Sequence, residues 1–228
     1  MFRKTTLTNG LRVVTKTLES TKSATVLILA GAGSRYENKK ISGISHFLEH
    51  MFFKGAEKYK NTKEVSEAID SIGGDFNAFT GKEYAGYYVK VASTHLDRAV
   101  DVLSDMLCNS KFDPHEIDKE RGVILEEFNM YQDTPMYQVG WKFEELAYGD
   151  QPLGWDQIGT KEVISSVTHD DFMNYFNALY VPENIVLAVT GDVDHKEVVA
   201  MIEKYFTMAE KKKAFEFEPI KHDFNDKK

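Results

Sequence analysis

The feature that most restricts the fold is a change of hydrophobic period along the chain. From Thr94 to Tyr148 the apolar residues follow a helical spacing almost throughout, while strand-like segments bracket this stretch on both sides. Upstream, Phe2 to Leu7 and Leu11 to Leu18 form a hairpin around Asn9-Gly10, a dipeptide that accepts the positive φ angles of a tight turn. A third strand, Ala24 to Ala30, runs into Gly31-Ala32-Gly33 and a polar loop, Ser34 to Lys40. A helix follows from about Ser42, a second spans Thr62 to Ile72 before Gly73-Gly74, and two strands, Asp75 to Thr80 and Tyr84 to Ala92, precede the helical stretch. Breaks near Lys111 to Pro114 and Asp133 to Pro135 divide that stretch, with Asp113-Pro114 reading as a helix start. A loop, Gly149 to Gly159, leads to helices near Thr168 to Leu179 and His195 to Tyr205, with a buried-type strand, Ile185 to Thr190, between them. This order is neither alternating βαβ nor all helical. It predicts an α+β fold with helices packed on one face of a largely antiparallel sheet.

Several function classes drop out. With 36 acidic against 28 basic residues, a net charge of -8, the chain lacks the basic stripe of a protein that grips nucleic-acid backbone. No apolar run reaches the roughly 18 residues that span a bilayer. The single cysteine, Cys108, forms no internal disulfide, and no signal-peptide pattern precedes the first strand, so cytoplasmic residence is the default expectation. Lys211 to Lys228 is charged and aperiodic, as expected of a tail or interdomain linker.

The chemistry concentrates in His46-Phe47-Leu48-Glu49-His50. Residues four apart on a helix lie one turn above each other, so both imidazoles can face one ion, and Glu49 falls on the same side. Ile44, Phe47, Leu48, Met51 and Phe52 occupy the other side and anchor the helix in the core. A second acidic helix, Pro114 to Tyr131, carries Glu120 and Glu127 two turns apart on one face, with Glu126 beside them, and such carboxylates can complete a metal site.

His-x-x-Glu-His followed about 75 residues later by a glutamate resembles the inverted zincins, the pitrilysin and mitochondrial processing peptidase family. Between His50 and Glu127 lie 76 residues. Further stretches carry the same likeness along nearly the whole chain: Thr8-Asn9-Gly10-Leu11, Gly33-Ser34-Arg35-Tyr36-Glu37, Gly74-Asp75-Phe76-Asn77-Ala78-Phe79-Thr80, Tyr180-Val181-Pro182-Glu183-Asn184 and Val189-Thr190-Gly191-Asp192-Val193.

The resemblance implies a processing-peptidase-like roll in which residues 1–210 are the catalytic domain and 211–228 the tail or linker. One Zn2+ per chain would be held by His46, His50 and Glu127. Glu49 would serve as general base and then general acid, and Glu120 would orient a ligand. The substrate would be a peptide lying extended beside an edge strand, touched by Asn77 and Ala78. Members of this family usually combine two homologous halves, the second supplying an arginine and a tyrosine near the reacting carbonyl. The chain matches the first half, so a homodimer, a homologous C-terminal half or a partner subunit is expected. Two rival readings have their own signatures. S-ribosylhomocysteine lyase pairs His-x-x-Glu-His with a cysteine, for which Cys108 is the candidate. A non-catalytic peptide-binding subunit of a processing complex typically loses the ligand set, which is intact here.

Overall fold

The computed structural model describes residues 1–214 and 216–221; the rest of the expected tail, Phe215 and 222–228, lies outside the described residues. Six strands, β1 (Arg3–Thr6), β2 (Arg12–Thr17), β3 (Ser23–Ala30), β4 (Asp75–Thr80), β5 (Ala85–Ala92) and β6 (Ile185–Gly191), form one sheet in the order β1-β2-β6-β3-β5-β4. All neighbours are antiparallel except β2 and β6. The expected hairpin is present, with Gly10 at φ 92° and Leu7 N donating to Leu11 O.

Alternation fixes which face is covered. In β3, Ala24, Val26, Ile28 and Ala30 are buried while Thr25, Leu27 and Leu29 are half-buried, and β6 repeats the pattern with Ile185, Leu187 and Val189 inside. The helices are α1 (Ile44–Met51), α2 (Thr62–Asp70), α3 (Leu96–Cys108), α4 (Pro114–Gln132), α5 (Pro135–Tyr148), α6 (Lys161–Ser166), α7 (His169–Leu179) and α8 (His195–Tyr205), of which α1, α2, α3 and α8 pack directly on strands. Their starts are chemically marked. Asn61 caps α2, Asp113 caps α4 ahead of Pro114, Thr168 and Asp171 form a reciprocal capping box on α7, and Asp194 caps α8. The second helix ends at Asp70, two residues short of its expected end, and α6 was not anticipated: six residues are too few for a period to show.

Aromatic contacts hold α1 in place. Phe47 meets Phe172 edge-on at 4.9 Å, and Phe52, just past α1, sits among Tyr87, Phe112, Phe176 and Tyr180. Each such fully buried side chain contributes roughly 1.5–3 kcal/mol by burial, before any ring-ring term. At the opposite edge of the sheet from β1, β4 pairs with β5 alone, and α1 packs against it. Among the described residues no helix is long and apolar enough to cross a membrane.

Candidate metal centre

Because α1 buries Ile44, Phe47, Leu48 and Met51 against the core, His46, Glu49 and His50 are turned to its remaining face, over α4 and the end of β4. Here α4 brings Glu127. His46 Nε2 and His50 Nε2 stand 3.7 and 3.5 Å from Glu127 Oε2, and one ligand atom from each residue falls within a 4.8 Å cluster. Two ligands on a tetrahedral ion with bonds of about 2.0–2.1 Å are separated by roughly 3.3 Å, so this donor set fits a single zinc-sized cation. Glu126, next in the helix, is exposed.

The flanking groups differ between the two histidines. His50 Nδ1 lies 2.9 Å from Glu120 Oε1, and the second Glu120 oxygen meets Lys54 Nζ at 2.5 Å. Glu120 is thus buried rather than on the helix surface. Burial pushes its carboxyl up, but the hydrogen bonds from His50 and Lys54 outweigh this and hold it below the usual carboxylate range. His46 has no such partner: its Nδ1 is buried without a hydrogen bond. Burial, reinforced by repulsion from His50 and opposed by Glu127, takes His46 down to about 4, which leaves it neutral and able to ligate at pH 7.

Glu49 accepts from Thr80 Oγ1 at 2.5 Å, and burial raises its pKa despite that bond. Glu127 accepts from the Tyr131 hydroxyl through Oε1 at 2.8 Å, leaving Oε2 toward the histidines. The cleft, about 350 Å³, is closed by Phe79, Tyr131, Tyr137, Trp141, Gln157 and Ile158. Tyr131, Tyr137 and Trp141 touch one another at ring separations of 4.9 to 6.4 Å. Phe79 lies across Gly86, where a Cβ would stand 2.2 Å from its ring, so the strand pairing here depends on glycine.

Asn77 and Ala78 lie on β4, the edge strand, but the strand residues lining the cleft are Phe79 and Thr80. Asn77 Oδ1 accepts from the Ala78 amide at 2.8 Å. Sequence reasoning overlooked Lys54, Thr80, Tyr131 and the aromatic wall. Lys54 is four residues past His50 and Tyr131 four past Glu127, so helical spacing offered a signal for both. Cys108 is apart from this cluster, at the end of α3, where burial pushes its thiol up to about 12.

Comparison with known proteins adds an independent line. Residues 12–161 match the family model described as insulinase (peptidase family M16), and residues 166–228 match the one described as peptidase M16 inactive domain. An uncharacterized zinc protease of Bacillus subtilis is 40% identical over 93% of this chain and 51% of its own length. A probable mitochondrial-processing peptidase subunit beta of Arabidopsis thaliana is 40% identical over 90% of this chain and 38% of its own. The crystal structure of a protease from Helicobacter pylori superposes with a TM-score of 0.88 at 28% identity, covering 97% of this chain and 53% of that one. The chain therefore spans about half the length of such relatives, or less. By the extent of the family match and the identity to these relatives, it belongs to the insulinase (M16) peptidase family.

Proposed function

We propose that this chain is the metal-bearing unit of a zinc metalloendopeptidase that hydrolyses peptide bonds in extended peptides or unfolded segments. The observation that carries the reading is the convergence of His46, His50 and Glu127 on one point, with a second carboxylate, Glu49, on the same face of α1 as the two histidines. One Zn2+ per chain, held by those three residues, would polarise the scissile carbonyl and lower the pKa of a bound water toward about 7. Glu49 takes the proton from the attacking water and returns it to the leaving amine. Burial raises its pKa above the ordinary carboxylate value, which favours its holding a proton in transit. Thr80 steadies one Glu49 oxygen and leaves the other for the proton. Glu120 receives the Nδ1 hydrogen of His50 and so presents the lone pair of Nε2 to the ion. The peptide adds as a further strand along β4, its backbone displacing the Asn77 side chain from the Ala78 amide, and its scissile bond reaches the cleft beside Phe79 and Thr80.

A second unit completes the enzyme in this reading, with residues 1–210 as the catalytic domain and 211–228 as a linker. Supporting it, α5 carries Met136, Val139 and Phe143 along one stripe, each between 68% and 75% exposed. A homologous half, a partner subunit or a second copy would cover that stripe.

The test is zinc content and hydrolysis of a quenched extended peptide, measured on the same samples of wild type and the His50→Ala variant. About one zinc per chain with cleavage, both lost in the variant, supports the proposal. Zinc without cleavage makes the chain dependent on its second unit, and absence of zinc refutes it.

A further inference from the structure

The helix that bears His46, Glu49 and His50 begins without an ordinary cap. Its N-cap, Gly43, has φ 93° and offers no side chain, and a Cβ there would stand 2.4 Å from Ile158 O, so no serine or aspartate fits. The free N–H groups of the first turn are met instead by Glu37. Its Oε2 accepts from Gly43 N at 2.7 Å, and its Oε1 accepts from Ser45 N at 2.9 Å and from Ser45 Oγ at 2.5 Å. Ser45 Oγ lies 2.7 Å from the Tyr175 hydroxyl on α7, which accepts from Gly33 N at 2.9 Å. Glu37, Ser45 and Tyr175 are all buried, Ser45 completely.

This network does more than fill hydrogen bonds. Ser45 precedes His46 directly and stands one turn before Glu49, so whatever fixes Ser45 fixes the rotation of α1 about its axis. A 10° rotation carries a ligand atom about 6 Å from that axis through roughly 1 Å. Displacements of that order cost about a hundredfold in a catalytic arrangement. The segment bearing Glu37 is gripped from outside as well: the Arg35 guanidinium lies 3.7 Å from the Phe217 ring centroid, Arg35 Nη2 donates to Glu218 O at 3.1 Å, and Tyr36 meets the same ring at 5.2 Å.

Resting on the metallopeptidase reading above, we propose that Glu37, with Ser45 and Tyr175, forms a buried positioning device that sets the rotation of the metal-binding helix. None of the three touches the ion or the substrate. Their effect passes through the placement of His46 and Glu49.

The experiment uses Glu37→Gln, Ser45→Ala and Tyr175→Phe in the zinc-loaded protein. It reads zinc affinity by chelator competition, the absorption spectrum of the cobalt-substituted protein, kcat and KM on a quenched extended peptide, and hydrogen exchange of the first α1 amides. The expected result is zinc affinity lowered by about tenfold or more, a shifted cobalt spectrum, kcat lowered with KM within about twofold, and faster exchange at Ser45 and His46. Folded variants with wild-type zinc affinity, cobalt spectrum and kcat overturn the proposal, even if they melt earlier, because a purely structural role moves only stability. If Glu37→Gln does not fold, Tyr175→Phe, which removes a single hydroxyl, decides by the same readings. If the wild type itself binds no zinc, the metallopeptidase reading fails and the exchange rates decide alone: acceleration in the variants sustains the anchor, and unchanged rates overturn it.

Discussion

Helices α1 and α5 face the same cleft and are built in opposite ways. In α1, Ile44, Ser45, Phe47, Leu48 and Met51 are all buried, so the side that carries His46, Glu49 and His50 has a rigid back. In α5 no residue is buried, although Tyr137 and Trp141 line the cleft and an apolar stripe runs down another side. In the function proposed above, the difference separates two tasks. Groups that hold an ion must be fixed within a fraction of an ångström, which only a packed core supplies. A wall that meets a peptide needs shape, and it can take part of its support from outside the unit.

The sharpest way to break this comparison is chemical. Glu49→Gln should keep the zinc and lower kcat by about 10³-fold or more, measured by metal analysis and peptide turnover on one sample. Undiminished turnover would remove α1 from the chemistry. Next in size is packing: Phe47→Ala should cost about 3–5 kcal/mol in denaturant unfolding, since its ring lies wholly inside against Phe172. Glu120→Gln should weaken zinc binding about 10- to 100-fold in a chelator competition, through the orientation of His50.

A smaller effect follows from Glu37, whose carboxyl burial raises to about 6 from 4.5. Between those values the unfolded chain has released this proton while the folded chain still holds it. Stability therefore falls as pH rises through that window, by roughly 2 kcal/mol, and Glu37→Gln should lack this drop in pH-resolved unfolding curves. Smallest of all, Phe143→Ala on α5 should change the stability of the isolated unit by no more than about 0.5 kcal/mol, as for other exposed positions. A loss on the scale of Phe47→Ala would show that α5 is supported from within and would erase the contrast.

Much of this could be read from the chain because the signals were periodic. The hairpin at Asn9-Gly10, the alternation in β3 and the helical faces of α1 and α4 each follow from local stereochemistry repeated over several residues. The carboxylate that faces His46 and His50 stood out by its spacing and its likeness to a family, both properties of the sequence. Thr80 and Glu37 stayed hidden for the converse reason. Their contacts, across 31 residues to Glu49 and across the loop before α1 to Ser45, are made by tertiary arrangement, and no period announces them. The stripe on α5 reads in sequence as an ordinary core face; that it lies open is a fact of tertiary arrangement.

The edge strand β4 has a consequence for self-association. A strand with an unpaired edge is open to any other strand, a second β4 included, as much as to the peptide proposed above. With Asn77 already bonded to the Ala78 amide, a newcomer at that position exchanges one hydrogen bond for another instead of gaining one. Chance pairings thereby lose part of their driving force, while a chain that can also fill the cleft beyond Phe79 keeps its advantage. Asn77 would then act as a threshold against clumping in crowded solution, set by a single side chain.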